Sequence, residues 1–282
     1  MKIRKSVAIL AAVGMCLSFQ AGAVLAGETE DESVPVSEEQ TESGSSQSEE
    51  KGRVGIISAM ENEISLLMKN TEVERIDHIG PWDFYVGTLC GRDVVIVKAG
   101  VGKVRSASGA ATMLNSYDIS EVYFTGIAGG AGEETQLLDV VIATDLVQHD
   151  YGLISDEGFV WLPRSGGLLG YYYCDPELVS LAHDCAEQIV GEEHVFEGTI
   201  ATGDQFVASD SYIEELRKNF NALACEMEGA SVAAVCTDYE IPFVVIRTMS
   251  DKADGDAIQS ELTWGDDAAD HSSKIIMRML EE

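Results

Sequence analysis

Apolar residues recur along the chain in two rhythms: short β-branched runs, and longer stretches with helical spacing. Arg53–Ser58 (RVGIIS) reads as a strand, followed by the polar loop Ala59-Met60-Glu61-Asn62-Glu63 and the amphipathic start of a helix at Ile64–Met68. Asp83–Leu89 and Arg92–Lys98 flank Cys90-Gly91 as a hairpin. Gly100-Val101-Gly102 opens a helix running to about Tyr117, and Val122–Thr125 is a buried strand ending in Gly126-Ile127-Ala128-Gly129-Gly130. Strands follow at Val140–Leu146, Val195–Thr202 and Phe243–Met249. Helices follow at Pro176–Val190, Ser211–Asn219 with Ser211 as cap, Glu228–Tyr239 and Asp266–Leu280. Strands alternating with helices imply an α/β domain with a mixed sheet covered on both faces. In such sheets ligands bind beyond the carboxyl ends of strands. The loops after Ser58, Lys98, Thr125, Thr202 and Met249, and the helix start at Glu228, are therefore the places to look for chemistry.

The rhythm does not begin until Lys51. Residues 1–26 have a basic start (Lys2, Arg4, Lys5), an apolar Val7–Leu17 and small residues up to Ala26, the pattern of an export signal. The apolar run is short for a membrane span. Met15 before Cys16 argues against lipid attachment, and the alternative to cleavage is an uncleaved anchor. Residues 27–50 are acidic, rich in Ser, Gln and Thr, and lack Lys and Arg. Such a segment cannot offset its ordering entropy by burial and reads as a disordered tether. The folded domain is expected at 51–282, and the signal predicts a secreted or envelope-tethered protein.

Composition narrows the function. The 282 residues carry 18 Lys+Arg against 49 Asp+Glu, a formal charge of -31. Binding to nucleic acid, heparin-like polyanions or anionic lipid depends on Lys and Arg neutralising negative groups, so those partners are excluded. With Cys16 in the signal, Cys90, Cys174, Cys185, Cys225 and Cys236 remain, odd in number and without a CxxC pair. Neither a disulfide framework nor a zinc site is supported, and most of the cysteines read as buried small hydrophobes.

Acidic residues collect at the informative strand ends: Met60-Glu61-Asn62-Glu63, Gly203-Asp204-Gln205-Phe206-Val207, Cys225-Glu226-Met227-Glu228-Gly229 and Ser250-Asp251. Carboxyl groups gathered at one sheet edge suit cleavage of a glycosidic bond, where one group activates water and another protonates the leaving group. Each taken alone has a plainer explanation, such as a helix cap or a charge facing a helix dipole.

The runs VGIISAMENEISLL, VKAGVGKV, TGIAGG, ATGDQFVAS, CEMEGAS and VVIRTMSDKAD resemble, in order and spacing, the 5′-methylthioadenosine/S-adenosylhomocysteine nucleosidases of the nucleoside phosphorylase superfamily. The resemblance spans Arg53 to Met279 and implies a three-layer α/β/α sandwich around a twisted mixed sheet, paired as a homodimer. It also implies hydrolysis of an adenine nucleoside by water, with no metal and no organic cofactor. By the same resemblance Glu63 is the acid/base that positions water, with a helix-face residue as the plain alternative, and Glu61 is the solvated neighbour. Asp251 is the purine-recognition acid, with a helix cap as its alternative, and Ser250 supports it. Donation to purine N7 needs a carboxyl pKa raised by burial. Met227 and Glu228 match the pair holding the ribose, while Glu226 is expected to make structural hydrogen bonds. Arg247 matches an arginine near the water and sugar, and a structural ion pair is the competing reading. Phe206 matches the residue stacking on adenine, unless it is core, and Val207 presents backbone groups to the base. Met60, Val101 and Trp264 match positions around the ribose and 5′-thio group, core packing remaining open for Val101. Ile127 departs from the family pattern, standing where a hydroxyl residue is usual near the sugar.

Two other readings share the motifs. A phosphorylase would need arginines or clustered backbone donors facing C1′. Ser58–Leu67 has no Lys or Arg, and Gly100–Gly102 and Gly129-Gly130 read as close-packed turns. A non-enzymatic nucleoside-binding protein would be expected to lack one of Glu63, Glu228 or Asp251, and none is missing.

Overall fold

The computed structural model describes residues 52–161 and 170–282. The signal and tether expected at 1–26 and 27–50 lie outside the described residues, as do residues 162–169.

The chain forms β1 (Arg53–Ser58), α1 (Glu61–Asn70), β2 (Glu72–Ile79), β3 (Trp82–Leu89), β4 (Arg92–Lys98), α2 (Lys103–Ser116), β5 (Ile119–Gly130) and β6 (Val140–Gln148). Then come the short β7 (Gly152–Ser155), β8 (Gly158–Trp161) and β9 (Tyr171–Tyr173). The remainder is α3 (Pro176–Val190), β10 (Val195–Thr202), α4 (Asp210–Phe220), β11 (Ala222–Glu226), α5 (Gly229–Asp238), β12 (Phe243–Asp251) and α6 (Ala257–Leu280). The main sheet has the order β11-β10-β6-β12-β5-β1-β4-β3-β2, with β9 alongside β6. Its centre, β12-β5-β1-β4, is parallel, and β2-β3-β4 is an antiparallel edge.

Central strands are buried on both faces, as parallel strands under two helical layers must be. Every residue of β12 is buried. Helix α6 packs on β12 and β5 with α1 and α3 beside it, while α2 packs against α5. This is the mixed α/β sandwich that the alternation of elements predicts. One feature goes beyond it: β11 also pairs with the end of β5 (Ala224 with Gly130, Cys225 with Gly129), so β5, β12, β6, β10 and β11 close into a ring.

The β3–β4 hairpin turns at Cys90 (φ 50°) and Gly91 (φ 80°), the two positive dihedrals that a tight two-residue turn requires. Cys90 is therefore exposed at a turn, whereas Cys174, Cys185, Cys225 and Cys236 are buried, and all five are free. Several elements differ from the sequence pattern. Strand β2 is an edge with mostly exposed residues, so it carries no apolar alternation to detect. Strand β5 continues through its glycines to Gly130, so Gly129-Gly130 is strand rather than turn. Helix α4 is capped by Ser209, whose side chain accepts from Tyr212 N, and not by Ser211. Helix α6 begins at Ala257 instead of Asp266. Its buried face there is built from small residues (Ala257, Gly265, Ala268, Ala269, Ser272), which give little hydrophobic signal.

Candidate active site

The carboxyl ends of β1, β5, β10, β11 and β12 meet around one pocket. Glu63, Asp251, Met60, Val101, Ile127, Phe206, Val207, Met227, Glu228 and Ser250 all line it. Ala59, Ala128, Gly129, Gln205, Cys225, Glu226, Ala253 and Glu261 complete the wall.

Glu63 sits in the first turn of α1, where free backbone N–H groups need acceptors. Its Oε2 accepts from Ala59 N at 2.9 Å and Met60 N at 2.8 Å, and its Oε1 from Ile127 N at 3.0 Å. The side chain is thus pinned between β1 and β5 and is only 3% exposed. Burial raises its pKa, and Arg247 and the three backbone donors only partly offset that. A fixed carboxyl whose proton affinity is lifted above the usual carboxylate range is suited to accept a proton from water.

Glu228 stands between β11 and α5, and its Oε1 accepts from Gly102 N at 2.7 Å. Gly102 makes this contact from a turn with φ 92°, a conformation that favours glycine. Burial and the neighbouring Glu226 push the Glu228 pKa up to about 8 against the pull of Arg247. Glu226, at the end of β11, is consumed structurally. It accepts from the Thr202 hydroxyl, from Glu228 N at 3.0 Å, from Gly229 N at 2.7 Å and from Arg247 Nη2 at 2.7 Å.

Asp251 ends β12 beside a register shift against β5, a bulge that re-aims the side chain. Its Oδ1 accepts from Ala253 N at 2.7 Å and its Oδ2 from the Ser250 hydroxyl at 2.9 Å. A side chain on Gly129 would sit 2.8 Å from Asp251 Oδ1, so the bare glycine makes room for it. Burial raises the Asp251 pKa, opposed by its two hydrogen bonds and reinforced by Glu261 and Asp254. Helix α6 has Asp256 at its N-cap position, so Asp251 is not a helix cap.

A protonatable acid, a fixed base and a third buried carboxyl lining one pocket could split a bond between a heteroaromatic base and a sugar. The sequence profile of the phosphorylase superfamily matches residues 53–281. The 5′-methylthioadenosine/S-adenosylhomocysteine nucleosidase of Bacillus cytotoxicus is 36% identical over 234 residues, covering 82% of this chain and 99% of that protein. The chain belongs to this nucleosidase family of the phosphorylase superfamily. The Neisseria meningitidis nucleosidase, solved with methylthio-immucillin-A, superposes with a TM-score of 0.75 at 34% identity over 81% of this chain and 98% of its own. The Streptococcus pyogenes S-adenosylhomocysteine nucleosidase, solved with 5-methylthiotubericidin, gives 0.76 at 33% identity over 83% and 98%.

Two expected site residues of the nucleosidase motif set are not in the wall. Arg247 lies behind it, 1% exposed, paired with Glu226 and stacked 4.2 Å from the centre of the Phe124 ring. Burial disfavours its charge, yet Glu226, Glu63 and Glu228 together outweigh that and raise its pKa. Its Nη2 lies 2.7 Å from Glu226 and 3.9 Å from Glu228, while its Nε and Nη1 have no hydrogen-bond partner among the described residues. Trp264 is 38% exposed on α6 and absent from the lining. Because α6 starts at Ala257, its inward stripe runs Ala257–Glu261–Gly265–Ala268, and Trp264 falls off it. Helix α6 therefore offers Glu261 to the pocket. Gln205 and Cys225 were also not expected in the wall. Gln205 adjoins Phe206 in the loop after β10, and Cys225 lines the wall from β11 while its thiol lies 4.0 Å from His149 Nε2 in the core. Among the described residues, no group of three or more His, Cys, Asp and Glu side chains is arranged to hold a metal ion.

Proposed function

We propose that the domain hydrolyses the N-glycosidic bond of 5′-methylthioadenosine and S-adenosylhomocysteine, releasing adenine and the 5-thioribose sugar. The observation that carries this reading is the joint placement of Glu63, Glu228 and Asp251 in one pocket whose described lining contains no Lys or Arg. Glu63 orients water and takes its proton as the water oxygen bonds to C1′. The C1′–N9 electron pair leaves with the purine, and Asp251 supplies a proton at N7, turning a poor leaving group into a neutral one. Glu228 accepts from the 2′- and 3′-hydroxyls, fixing the sugar so that charge develops at C1′. Met227, Met60, Val101 and Ile127 enclose the sugar. Phe206 stacks on the base, Val207 offers backbone groups to its edge, and Ser250 holds the Asp251 carboxyl.

Attack by phosphate would place a dianion next to Glu63 and Glu228. The described lining holds no Lys or Arg to neutralise it, so water is the nucleophile. The test is adenine release from methylthioadenosine in phosphate-free buffer, with identification of the sugar. Free 5-thioribose sugar is expected; strict dependence on phosphate, with a sugar 1-phosphate product, would overturn the assignment.

Two further parts of the reading concern context. The domain acts as a homodimer, supported by the exposed apolar side chains Leu153, Ile154, Phe159 and Val160 of β7–β8 near the aromatic stretch preceding α3. A monodisperse and fully active monomer in light scattering would refute it. The basic and apolar residues 1–26 support export, with the acidic 27–50 as a tether. Intact-mass measurement of the protein recovered from culture medium and from the cell envelope tests cleavage after Ala26.

A further inference from the structure

Asp150 lies two residues beyond β6 and uses both carboxylate oxygens to tie together two segments that frame the pocket. Its Oδ1 lies 2.6 Å from Lys103 Nζ, and its Oδ2 accepts from Asp204 N at 2.9 Å. A third bond closes the triangle, from Lys103 N to Asp204 Oδ1 at 2.8 Å. The Lys103 and Asp150 side chains are only 17% and 13% exposed, so the pair is weakly screened. Burial alone would raise the Asp150 pKa, but the bonds from Lys103 and Asp204 N outweigh it and hold the carboxyl below its usual range. None of these three side chains lines the pocket.

What they hold does line it. Lys103 follows Val101 and Gly102, and Asp204 precedes Gln205, Phe206 and Val207. The segment 203–209 connects β10 to α4 and belongs to neither. Gly203 N fastens one end to Glu226 O at 3.0 Å, and Ser209 N fastens the other to Ala253 O at 2.8 Å. A side chain on Gly203 would sit 2.3 Å from His149 Nε2, so the bare backbone passes close beside the residue preceding Asp150. Val207 packs against a core cluster that includes Val147 and Ile213, whereas Phe206 is 49% exposed. Neighbouring side chains therefore do not fix the Phe206 ring. Among the described residues, the hydrogen bonds made between the two fastened ends are the two at Asp204. A segment with so few ties is ordered by each of them, and loosening one adds an ordering cost to binding.

The reacting groups are anchored independently. Glu63 is held by Ala59 N, Met60 N and Ile127 N, and Asp251 by the Ser250 hydroxyl and Ala253 N. Freeing Asp204 disturbs neither set.

We infer that Asp150 is a positioning residue for base recognition: paired with Lys103, it anchors Asp204 and so sets where Phe206 stands against the purine. This rests on the nucleosidase reading above.

The test measures adenine affinity by calorimetry and adenine release from methylthioadenosine in phosphate-free buffer, both on the full chain. Asp150→Ala should weaken adenine binding and raise KM by roughly tenfold, the scale of a lost charge-assisted hydrogen bond, while kcat changes less than about threefold. In a double-mutant cycle, Asp150→Ala should cost less than about twofold in adenine affinity once Phe206→Ala is present, because the ring it positions is gone. Lys103→Met should move affinity in the same direction, and Lys103→Arg, which keeps the pair, should restore it. If Asp150→Ala does not fold, the two Lys103 variants and their cycle with Phe206→Ala carry the same comparison with every carboxylate in place. Unchanged adenine affinity, or a loss of equal size with and without Phe206, would overturn the inference. A fall in kcat at unchanged KM would also overturn it, assigning Asp150 to the reacting groups. Native enzyme that releases no adenine from methylthioadenosine, while the adenine affinities follow the expected pattern, would instead defeat the nucleosidase reading and leave the positioning role standing.

Discussion

Gly126 offers a direct way to disturb the reactive carboxyl without removing it. A methyl group there would lie 2.5 Å from Arg247 Nη1 and closer still to Glu63 Oε1. Ordinary contacts of such a carbon begin near 3.4 Å, so both tips must retreat by about 1 Å. Gly126 is not among the glycines with positive φ, so alanine meets no backbone strain. The colliding atoms are side-chain tips rather than backbone, and the fold should survive Gly126→Ala at a cost of about 1–3 kcal/mol. Catalysis should not. Glu63 Oε1 would have to leave Ile127 N, the donor that aims it, and a shift of about 1 Å in a reacting group costs on the order of 100-fold. The assay is steady-state adenine release from methylthioadenosine in phosphate-free buffer, paired with a thermal melt and the far-ultraviolet circular dichroism spectrum. A well-folded variant with reduced kcat and modestly changed KM is expected. A folded variant turning over near the native rate would show that the position of Glu63 does not matter to the chemistry, and the base assignment would fall with it.

Glu63→Gln keeps the shape but removes the base and sets an amide NH2 against a backbone N–H; kcat should fall by roughly 10²–10⁴ while a non-hydrolysable analogue still binds in calorimetry. Asp251→Asn should lose turnover and shift base preference from 6-amino toward 6-oxo purines, read by comparing adenosine with inosine; near-normal adenine release would leave purine protonation to another donor. Glu228 binds its proton more tightly when folded, with a pKa raised from 4.5 to about 8, so the folded state holds more protons than the unfolded state between those values. Its contribution to stability is therefore complete below about pH 4.5 and lost as pH rises through about 8. Melting curves across that range should show a decline that Glu228→Gln flattens, and an unchanged slope would mean Glu228 is not the group responsible.

Much of this molecule is legible in its sequence because the signal is local. Strands such as Val195–Thr202 and helices such as Pro176–Val190 are bounded by turn residues and carry their own periodicity, and their limits agree with the structure. The pocket residues sit where strands end, so the alternation of elements brings Glu63, Phe206, Glu228 and Asp251 to one edge before any contact is known. What escapes is whatever depends on partners distant in sequence. Closure of β11 onto β5 needs the Gly129-Gly130 backbone to meet Ala224 and Cys225, and neither segment announces the other. Whether Arg247 enters the pocket or stands behind it is decided by Glu226, which competes for the guanidinium from another strand. The clearest case is α6. An aromatic residue draws attention, and Trp264 was the natural choice to face a ligand. The first half of the helix, however, buries only small side chains (Ala257, Gly265, Ala268, Ala269), large ones being buried only from Ile275 on, and the residue on that early stripe is Glu261. A helix packed by alanine, glycine and serine turns its large side chains outward, so on such a helix the group that reaches a neighbouring pocket is set by register with the small residues. Size and hydrophobicity, the usual guides to what is inside, point the wrong way there.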